Sequence, residues 1–344
     1  MSATVTQAGK ALRTVAKIAF AAALIFWMIH TGVLDFHALA KLASPGILSF
    51  CLACVFLQLY ICNYRWLVLL RAQGFASSMR ETMPLTLIGM FFNFFMPGGV
   101  GGDVVKGYYL LQDHPDKKFA GAVSIFMDRM IGFFIMIGTA FVAIFFSLGF
   151  VMQSREMQTI ALGVAALFLG FFVFYFLSLS KLLQNTWAGK LLFTVIPGGK
   201  KIHRLYEVLH SYRKSPRALV VTALVSVLNQ MLMIVFVYVI GQALSIDIPL
   251  RIYCFLVPLG SVVQALPLSP AGIGVGQAAF LFLFNLYLGR ESVLGPTAMT
   301  AMQATNFFWG LTGAFFYLQR KKPVFETESS IGAAEPNVPN ARQR

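Results

Sequence analysis

The sequence predicts an all-α polytopic membrane protein, and three observations support this. Of the 344 residues, 58% are hydrophobic and only 12% are charged, whereas soluble domains carry about 25% charged residues. So few charges cannot cover a soluble surface, which excludes a soluble globular protein and a disordered one. The apolar runs are long and continuous rather than alternating, which favours helices over the strands of a barrel. The 27 basic residues against 13 acidic ones lie mostly between these runs.

Most of the apolar runs have the roughly 20 residues that a helix needs to cross a bilayer. We predict full spans at 16–33, 47–70, 119–150, 157–180, 217–244 and 294–318. The remaining apolar runs, 83–97, 251–268 and 273–289, do not fit simple spans. The first of them is short, and the other two are separated by only a few apolar residues. These runs therefore predict two re-entrant or broken helical hairpins.

The two predicted hairpin tips resemble each other. Residues 97–101 read PGGVG and residues 270–274 read PAGIG, a shared P-[GA]-G-[VI]-G pattern. One tip lies in each half of the chain, and the inferred directions of the two are opposite. Paired broken helices in related halves are typical of an inverted repeat. We therefore expect about six full helices plus two hairpins in an inverted repeat.

The loop charges predict the orientation. Loop 181–217 carries eight basic residues, whereas loops 34–46, 151–156, 245–250 and 290–293 each carry at most one. Basic residues favour the cytoplasmic side. If each broken segment returns to its own side, every basic-rich loop is cytoplasmic. This predicts a multi-pass protein of the bacterial inner membrane with both termini in the cytoplasm and hairpins that enter from opposite sides.

The domain organisation follows from these elements. We expect a single membrane domain over 1–318, with one half at about 14–180 and the other at about 217–318. The basic cytoplasmic loop 181–216 joins the halves. The tail 319–344 is polar and rich in Pro, Ser, Glu and Ala, which predicts disorder.

Catalytic and metal-binding patterns give no candidates. The CxxC spacing of Cys51 and Cys54 lies inside an apolar run without a nearby histidine, so we interpret these thiols as small apolar helix residues. The chain has no HExxH, GxSxG, Walker-type or kinase signature. We therefore expect no catalytic residue, no metal, no cofactor and no enzymatic activity. Despite the net charge of +14, no nucleic-acid recognition module is present, and we expect no nucleic-acid partner.

The glycine-rich tips are the first candidates for substrate binding. Glycine allows the backbone to turn and a ligand to approach closely, and free amides at a helix start bind anions. A purely structural kink is the alternative. The candidates are Pro97, Gly98, Gly99, Gly101 and Gly102 in the first tip, and Pro270, Gly272 and Gly274 in the second.

Charges within the apolar spans are the second group, because such charges are expensive and usually functional. Asp128 and Arg129 are neighbours that point about 100° apart on a helix, so each is expected to have its own partner. Snorkelling of Arg65 and a structural ion pair are the alternatives. The predicted substrate-binding residues of this group are Arg65, Asp103, Lys106, Asp128 and Arg129, together with Ser124, which shares a face with Asp128.

Single polar residues in the apolar runs complete the set. Asn93, Gln264 and Gln277 are predicted to contact the substrate, although hydrogen bonds between helices explain them equally well. The same two interpretations apply to Asn306. Asn229 and Gln230 are less informative.

A family resemblance rests on three stretches. Residues 93–106 read NFFMPGGVGGDVVK, residues 124–132 read SIFMDRMIG, and residues 267–277 read PLSPAGIGVGQ. Together they resemble the transmembrane region of lysylphosphatidylglycerol synthases, over about residues 10–320. Ala271 stands where that family commonly has glycine, and Gln277 where it commonly has glutamate. The resemblance implies translocation of lipids between leaflets, including aminoacylated phospholipids and, for some members, hopanoid or polyprenyl-linked molecules.

The sequence therefore predicts a flippase-like transporter that moves a phospholipid or lipid-linked molecule across the inner membrane. Arg65 and Arg129 would attract an anionic phosphate, while Asp103 and Asp128 would hold these arginines or meet a cationic headgroup. A secondary transporter of a soluble solute, a membrane-embedded glycosyl or acyl transferase, and a scaffold subunit are the alternatives. A homo-oligomer is compatible with the sequence.

Overall fold

A computed structural model describes residues 42–96, 101–179, 206–266 and 268–320, with the isolated residues 26 and 40. Several sequence predictions fall outside these ranges. They concern nearly all of the first span at 16–33, most of the basic loop 181–217, and the tail after residue 320. The candidates Pro97, Gly98 and Gly99 of the first tip also lie outside the described residues.

All regular secondary structure in the described part of the chain is helical, which confirms the predicted all-α class. The longer helices are α1 (Pro45–Ala72), α2 (Met79–Phe95), α3 (Gly101–Asp113), α4 (Lys118–Phe146), α5 (Arg155–Leu179), α6 (Pro216–Ala243), α7 (Leu250–Gln264), α8 (Val275–Leu288) and α9 (Leu294–Gln319). Short 3-10 turns lie at Pro115–Lys117, Tyr212–Lys214 and Pro270–Gly272, and one α-helical turn lies at Leu148–Val151.

Local sequence explains where several helices begin and end. Prolines start α1 and α6, where the missing N–H costs nothing and the fixed φ suits a helix. Before α2, the backbone amide of Ser78 donates to the Glu81 carboxylate at 2.9 Å, as part of a capping box. Gly289, with φ of 63°, ends α8 in the left-handed conformation.

Five described segments are long and apolar enough to cross a membrane. Four of them match predicted full spans. The fifth consists of the second hairpin tip together with α8. They are Pro45–Ala72, Pro115–Phe146, Arg155–Ser178, Pro216–Ala243 and Pro270–Leu288. With 26 residues, α9 is also long enough to cross, although Thr297, Gln303 and Asn306 lower its hydropathy. The protein is a multi-pass membrane protein.

Each broken segment forms an antiparallel helical hairpin. In hairpin 1, formed by α2 and α3, Gly89 lies against both Gly102 and Lys106. In hairpin 2, formed by α7 and α8, Gly260 lies against Phe280 and Gln264 against Gly276. The four arms have 17, 13, 15 and 14 residues. At 1.5 Å per residue each arm is about 20–26 Å long, shorter than a hydrocarbon core of about 30 Å. The helical part of each arm is therefore too short to cross by itself, although α8 together with the second tip reaches spanning length.

The two hairpins enter the bundle from opposite ends, as predicted. The first half of α9 is antiparallel to α8, with Gln303 beside Gln277 and Gly295 beside Phe280. Its second half is antiparallel to α2, with Gly310 beside Phe91 and Gly313 beside Leu87. Hence α2, which leads into the first tip, is parallel to α8, which leads away from the second. The tips therefore approach each other from opposite sides.

The packing between the halves is reciprocal. Helices α1 and α6, which precede the two hairpins, pack against each other. Helix α4, which follows hairpin 1, packs along α7 of hairpin 2, while α9, which follows hairpin 2, packs along α2 of hairpin 1. A pseudo-two-fold axis would produce this exchange. The arrangement agrees with the predicted inverted repeat.

Most of the described basic residues in loops and near helix ends lie at one end of the bundle. Contacts between loops define this end: Lys117 Nζ donates to the Gly74 carbonyl at 2.6 Å, and Arg320 pairs with Asp113 at 2.8 Å. The basic residues here are Arg71, Arg80, Lys117, Lys118, Arg213, Lys214, Arg217 and Arg320, whereas the opposite end has Arg155, Arg251 and Arg290. Hairpin 1 opens toward the basic end.

Candidate functional site

A cavity of about 410 Å³, lined by both polar and apolar side chains, lies where the two hairpin tips meet. Its wall includes Asn93 from hairpin 1 and Gln264, Ala271 and Gly272 from hairpin 2. Helices α1, α4, α6 and α9 complete the wall. Their contributions are Cys62, Arg65, Arg129, Gly132, Phe133, Met136, Ser226, Asn229, Gln230, Gln303 and Asn306.

A second cavity of about 300 Å³ adjoins the first. Both are lined by Arg65, Asn93 and Arg129. The second one adds Asp103, Lys106 and Asp128. We refer to the two cavities together as the central site. The charged residues that the sequence singled out, scattered over α1, α3 and α4, thus lie in one place.

Arg65 connects three helices at this site. Its Nε and Nη2 donate to the two carboxylate oxygens of Asp128 at 2.7 and 3.0 Å, and its Nη1 donates to Ser226 Oγ at 3.1 Å. Arg65 is only 8% exposed. A fork-like pair of this kind is the strongest form of arginine–carboxylate contact. The guanidinium points into the bundle, so the snorkelling alternative is wrong.

Arg129 forms the second ion pair, with Asp103 at the start of α3. This pair joins α4 to hairpin 1, and its side chains are about one quarter exposed. The neighbours Asp128 and Arg129 therefore have separate partners on two different helices, as their angular separation predicted. The Arg129 pair is the more accessible of the two, so a ligand can reach its arginine more easily.

Lys106 is the third cation. Its Nζ lies 3.6 Å from the centre of the Trp66 ring, a cation–π contact, and the residue is 7% exposed. Among the described residues, Lys106 has no carboxylate ion-pair partner. The central site thus has three basic side chains and two carboxylates, which leaves a formal net charge of +1.

Ser124 supports the site without lining it. Its hydroxyl accepts from Trp66 Nε1 at 3.2 Å and donates to the Gly121 carbonyl at 2.7 Å. The residue is fully buried. Ser124 therefore orients the Trp66 ring that contacts Lys106. The sequence placed Ser124 on the same helix face as Asp128, but its hydrogen-bond partner is Trp66.

The described part of the first tip is held by close backbone packing. The amide of Gly102 donates to Asn93 Oδ1 at 2.8 Å. A Cβ on Gly102 would clash with the Gly89 carbonyl, so the two arms can approach only because this residue is glycine. Gly101 packs against the side chain of Met96. Neither Gly101 nor Gly102 is among the cavity-lining residues, whereas Asn93 lines both cavities.

The second tip is stabilised by a hydrogen-bond chain. The amide of Gly274 donates to Gln277 Oε1 at 2.8 Å, and Gln277 Nε2 donates to Gln303 Oε1 at 2.6 Å. Pro270, Gly274 and Gln277 are not among the residues that line the central site. They hold the turn that places Gly272 on the cavity wall.

Two consecutive residues of this tip have left-handed backbone conformations. Ala271 has φ of 49° and Gly272 has φ of 69°. The conformation costs a non-glycine residue about 1–2 kcal/mol, so Ala271 introduces local strain into the tip. Gly272 also lies close to Gln264, whose Cγ would be 2.6 Å from an added Cβ.

Sequence reasoning missed Ser226, Ser261 and Gln303 in the wall of the first cavity. It also missed Gln58 and Thr86 in the wall of the second. A signal was present. Ser261 precedes Gln264 by three residues, and Gln303 precedes Asn306 by three. Residues three apart share a helix face, so polar pairs at this spacing in apolar helices indicate a common polar surface.

Comparison with known proteins agrees with this picture. The family model described as "Lysylphosphatidylglycerol synthase TM region" matches residues 14–313. A UPF0104 membrane protein of Methanothermobacter thermautotrophicus is 25% identical over 318 residues, which cover 88% of this chain and 91% of the relative. A UPF0104 membrane protein of Methanocaldococcus jannaschii is 24% identical over 215 residues, or 60% of this chain and 85% of the relative.

No solved structure matches the chain. The family match covers every element that forms the central site, from α1 to most of α9. The chain therefore belongs to the family of the lysylphosphatidylglycerol synthase transmembrane region.

Proposed function

We propose that this protein moves a phospholipid or lipid-linked molecule between the two leaflets of the bacterial inner membrane, without chemical change. One observation carries the proposal: a charged, polar cavity lies between two opposed hairpin tips inside an otherwise apolar bundle. Irregular backbone at membrane depth is tolerated when it lines a wet cavity or is buried in protein. In transporters, paired broken helices meet at the substrate site.

In this proposal the polar headgroup enters the central site while the acyl chains remain in the lipid. Arg129 and Arg65 bind the phosphate, because guanidinium groups form strong paired hydrogen bonds with phosphate oxygens. Asp103 and Asp128 partner the arginines when no headgroup is bound, since an unpaired charge at this depth is costly. The headgroup then replaces part of these contacts.

The family assignment supports a lipid as the cargo. The matching family model is named for the membrane region of a protein that synthesises a phospholipid, lysylphosphatidylglycerol. We extend the lipid link to this chain as part of the proposal and assign it no catalytic step.

The orientation in the membrane is also part of the proposal. The basic end of the bundle would face the cytoplasm, because lysine and arginine favour that side. Hairpin 1 would then open to the cytoplasm and hairpin 2 to the periplasm, and both termini would be cytoplasmic.

Transport can be measured with the purified full-length chain in phospholipid vesicles. A fluorescent phosphatidylglycerol is incorporated in both leaflets, and a membrane-impermeant reductant quenches the outer leaflet. We expect nearly complete quenching with the protein and only outer-leaflet quenching in protein-free vesicles. Outer-leaflet quenching in both samples, together with protein-dependent uptake of a soluble organic anion, would instead support a transporter of soluble solutes.

A further inference from the structure

The two halves of the chain contribute different chemistry to the central site. All five charged side chains that line it come from the first half, on α1, α3 and α4. The second half contributes α6, α7 and α9, and its hydrogen-bonding side chains at the site are neutral. Apart from Ser226, which is bound to Arg65, they are Asn229, Gln230, Ser261, Gln264, Gln303 and Asn306.

The neutral wall has both donors and acceptors that are not engaged within the protein. Among the described residues, Gln230 Nε2, Gln303 Nε2, Asn229 Oδ1 and Ser261 Oγ are buried and have no hydrogen-bond partner. Gln230 and Gln303 are 4% and 7% exposed. Buried polar atoms are normally hydrogen-bonded, and leaving them unpaired costs free energy. Hydroxyl groups can both donate and accept, so a hydroxyl-rich group suits a wall of amide and hydroxyl side chains.

The charged side chains contributed by the first half limit the net charge of the headgroup. Both carboxylates are paired with arginines, whereas Lys106 lies over the Trp66 ring and forms no ion pair with a carboxylate in the described part of the chain. One anionic phosphodiester would neutralise the formal charge of +1. A zwitterionic headgroup with an ammonium leaves this charge uncompensated, and a headgroup with net positive charge increases it.

We propose that the cargo has one anionic phosphodiester attached to a neutral hydroxyl-rich group, such as glycerol or a sugar. The phosphodiester lies against Arg129, Arg65 and Lys106, and the hydroxyl-rich group contacts the amide wall near Gln230 and Gln303. Lipids that end in an ammonium group are poor substrates. This inference rests on the proposed lipid transport and specifies its substrate class.

The test compares three fluorescent lipids that share acyl chains: phosphatidylglycerol, phosphatidylethanolamine and lysylphosphatidylglycerol. In vesicles with the full-length protein, we expect phosphatidylglycerol to move at least about tenfold faster than the other two, since one uncompensated polar or charged contact has roughly that effect. Equal rates, or a faster rate for either amine, would overturn the substrate class while leaving lipid transport intact. Movement of none of the three would overturn both.

Two variants separate the contributions of the walls. Gln230→Met keeps the side-chain length but removes the amide, and should slow phosphatidylglycerol while hardly changing phosphatidylethanolamine. Gln242→Met, an exposed position on the same helix, is the matched control and should change neither rate. Lys106→Met removes the excess positive charge and should raise the ratio of phosphatidylethanolamine to phosphatidylglycerol movement. Unchanged ratios in Gln230→Met and Lys106→Met, with folding verified by gel filtration, would contradict the assignment of the walls.

Discussion

Asp128 and Arg129 are adjacent in the chain but form ion pairs with residues of two different helices, α1 and α3. Asp128 accepts two hydrogen bonds from Arg65 on α1, whereas Arg129 pairs with Asp103 in hairpin 1. These two residues of α4 thus connect that helix to α1 and to hairpin 1. The more buried pair is suited to hold the bundle together, and the more exposed one is suited to exchange its partner for a ligand.

The Arg65–Asp128 pair is expected to contribute to stability in addition to the proposed role of Arg65 in phosphate binding. Asp128→Asn leaves the buried guanidinium without its counter-charge, and we expect a loss of about 3–5 kcal/mol of stability. The double variant Arg65→Gln/Asp128→Asn removes both charges and should recover part of this loss. Thermal unfolding in detergent measures both, and a double variant less stable than Asp128→Asn would be inconsistent with the pair.

The Arg129–Asp103 pair is expected to affect transport more than stability. Arg129→Gln keeps hydrogen-bonding capacity but removes the charge that would bind phosphate, so lipid movement should fall by about tenfold or more while the protein remains folded. Arg290→Gln, in an exposed loop, is the matched control with the same chemical change. Lipid movement at the unmodified rate by folded Arg129→Gln would remove this arginine from the mechanism.

Gly102 is expected to be essential for the packing of hairpin 1. Its replacement by alanine places a methyl group on the Gly89 carbonyl, and such overpacking typically costs about 1–3 kcal/mol. Gly163→Ala on α5 has open space around the new Cβ and serves as the control. The yield of monodisperse protein and the unfolding temperature should fall for Gly102→Ala only; equal behaviour of the two variants would argue against the close contact.

Ala271→Gly is expected to stabilise the second tip. Glycine relieves the left-handed strain of about 1–2 kcal/mol but increases the entropy lost on folding by about 0.4–1 kcal/mol, so a net gain of up to about 1.6 kcal/mol remains. The opposite effect is expected for Ala218→Gly within α6, where glycine only weakens a helix. A lower unfolding temperature for Ala271→Gly would show that the methyl group contributes packing that outweighs the strain.

The orientation is testable with single cysteines in a variant whose Cys51, Cys54, Cys62 and Cys254 are replaced by alanine. We place one cysteine at Lys214, at the basic end, and one at Ser292, at the other end. A membrane-impermeant maleimide applied to intact cells with a permeable outer membrane should label Ser292→Cys only. Lysed cells, in which both positions should react, provide the control. Labelling of Lys214→Cys in intact cells would reverse the proposed topology.

The sequence by itself determined the all-α class, the spans within the described residues and the two hairpins. The free energy of placing a segment in a bilayer depends mainly on its own composition and length. The short arms with Pro and Gly at their tips could therefore be recognised without knowing their neighbours. The opposite entry of the hairpins was also predictable, because loop charges report sidedness for each segment in turn.

Only the tertiary structure decided which polar residues meet. The sequence identified Asp103, Asp128, Arg65 and Arg129 as costly charges, but their pairing depends on how α1, α3 and α4 pack, which no local pattern encodes. Because of this packing, Ser124 and Gln277 hydrogen-bond to other residues of the protein and do not line the cavity. The same packing places Ser226, Ser261 and Gln303 in the cavity wall. The local sequence shows that burying a charged side chain is unfavourable in free energy. The helices packed around that side chain decide whether another residue or a ligand compensates its charge.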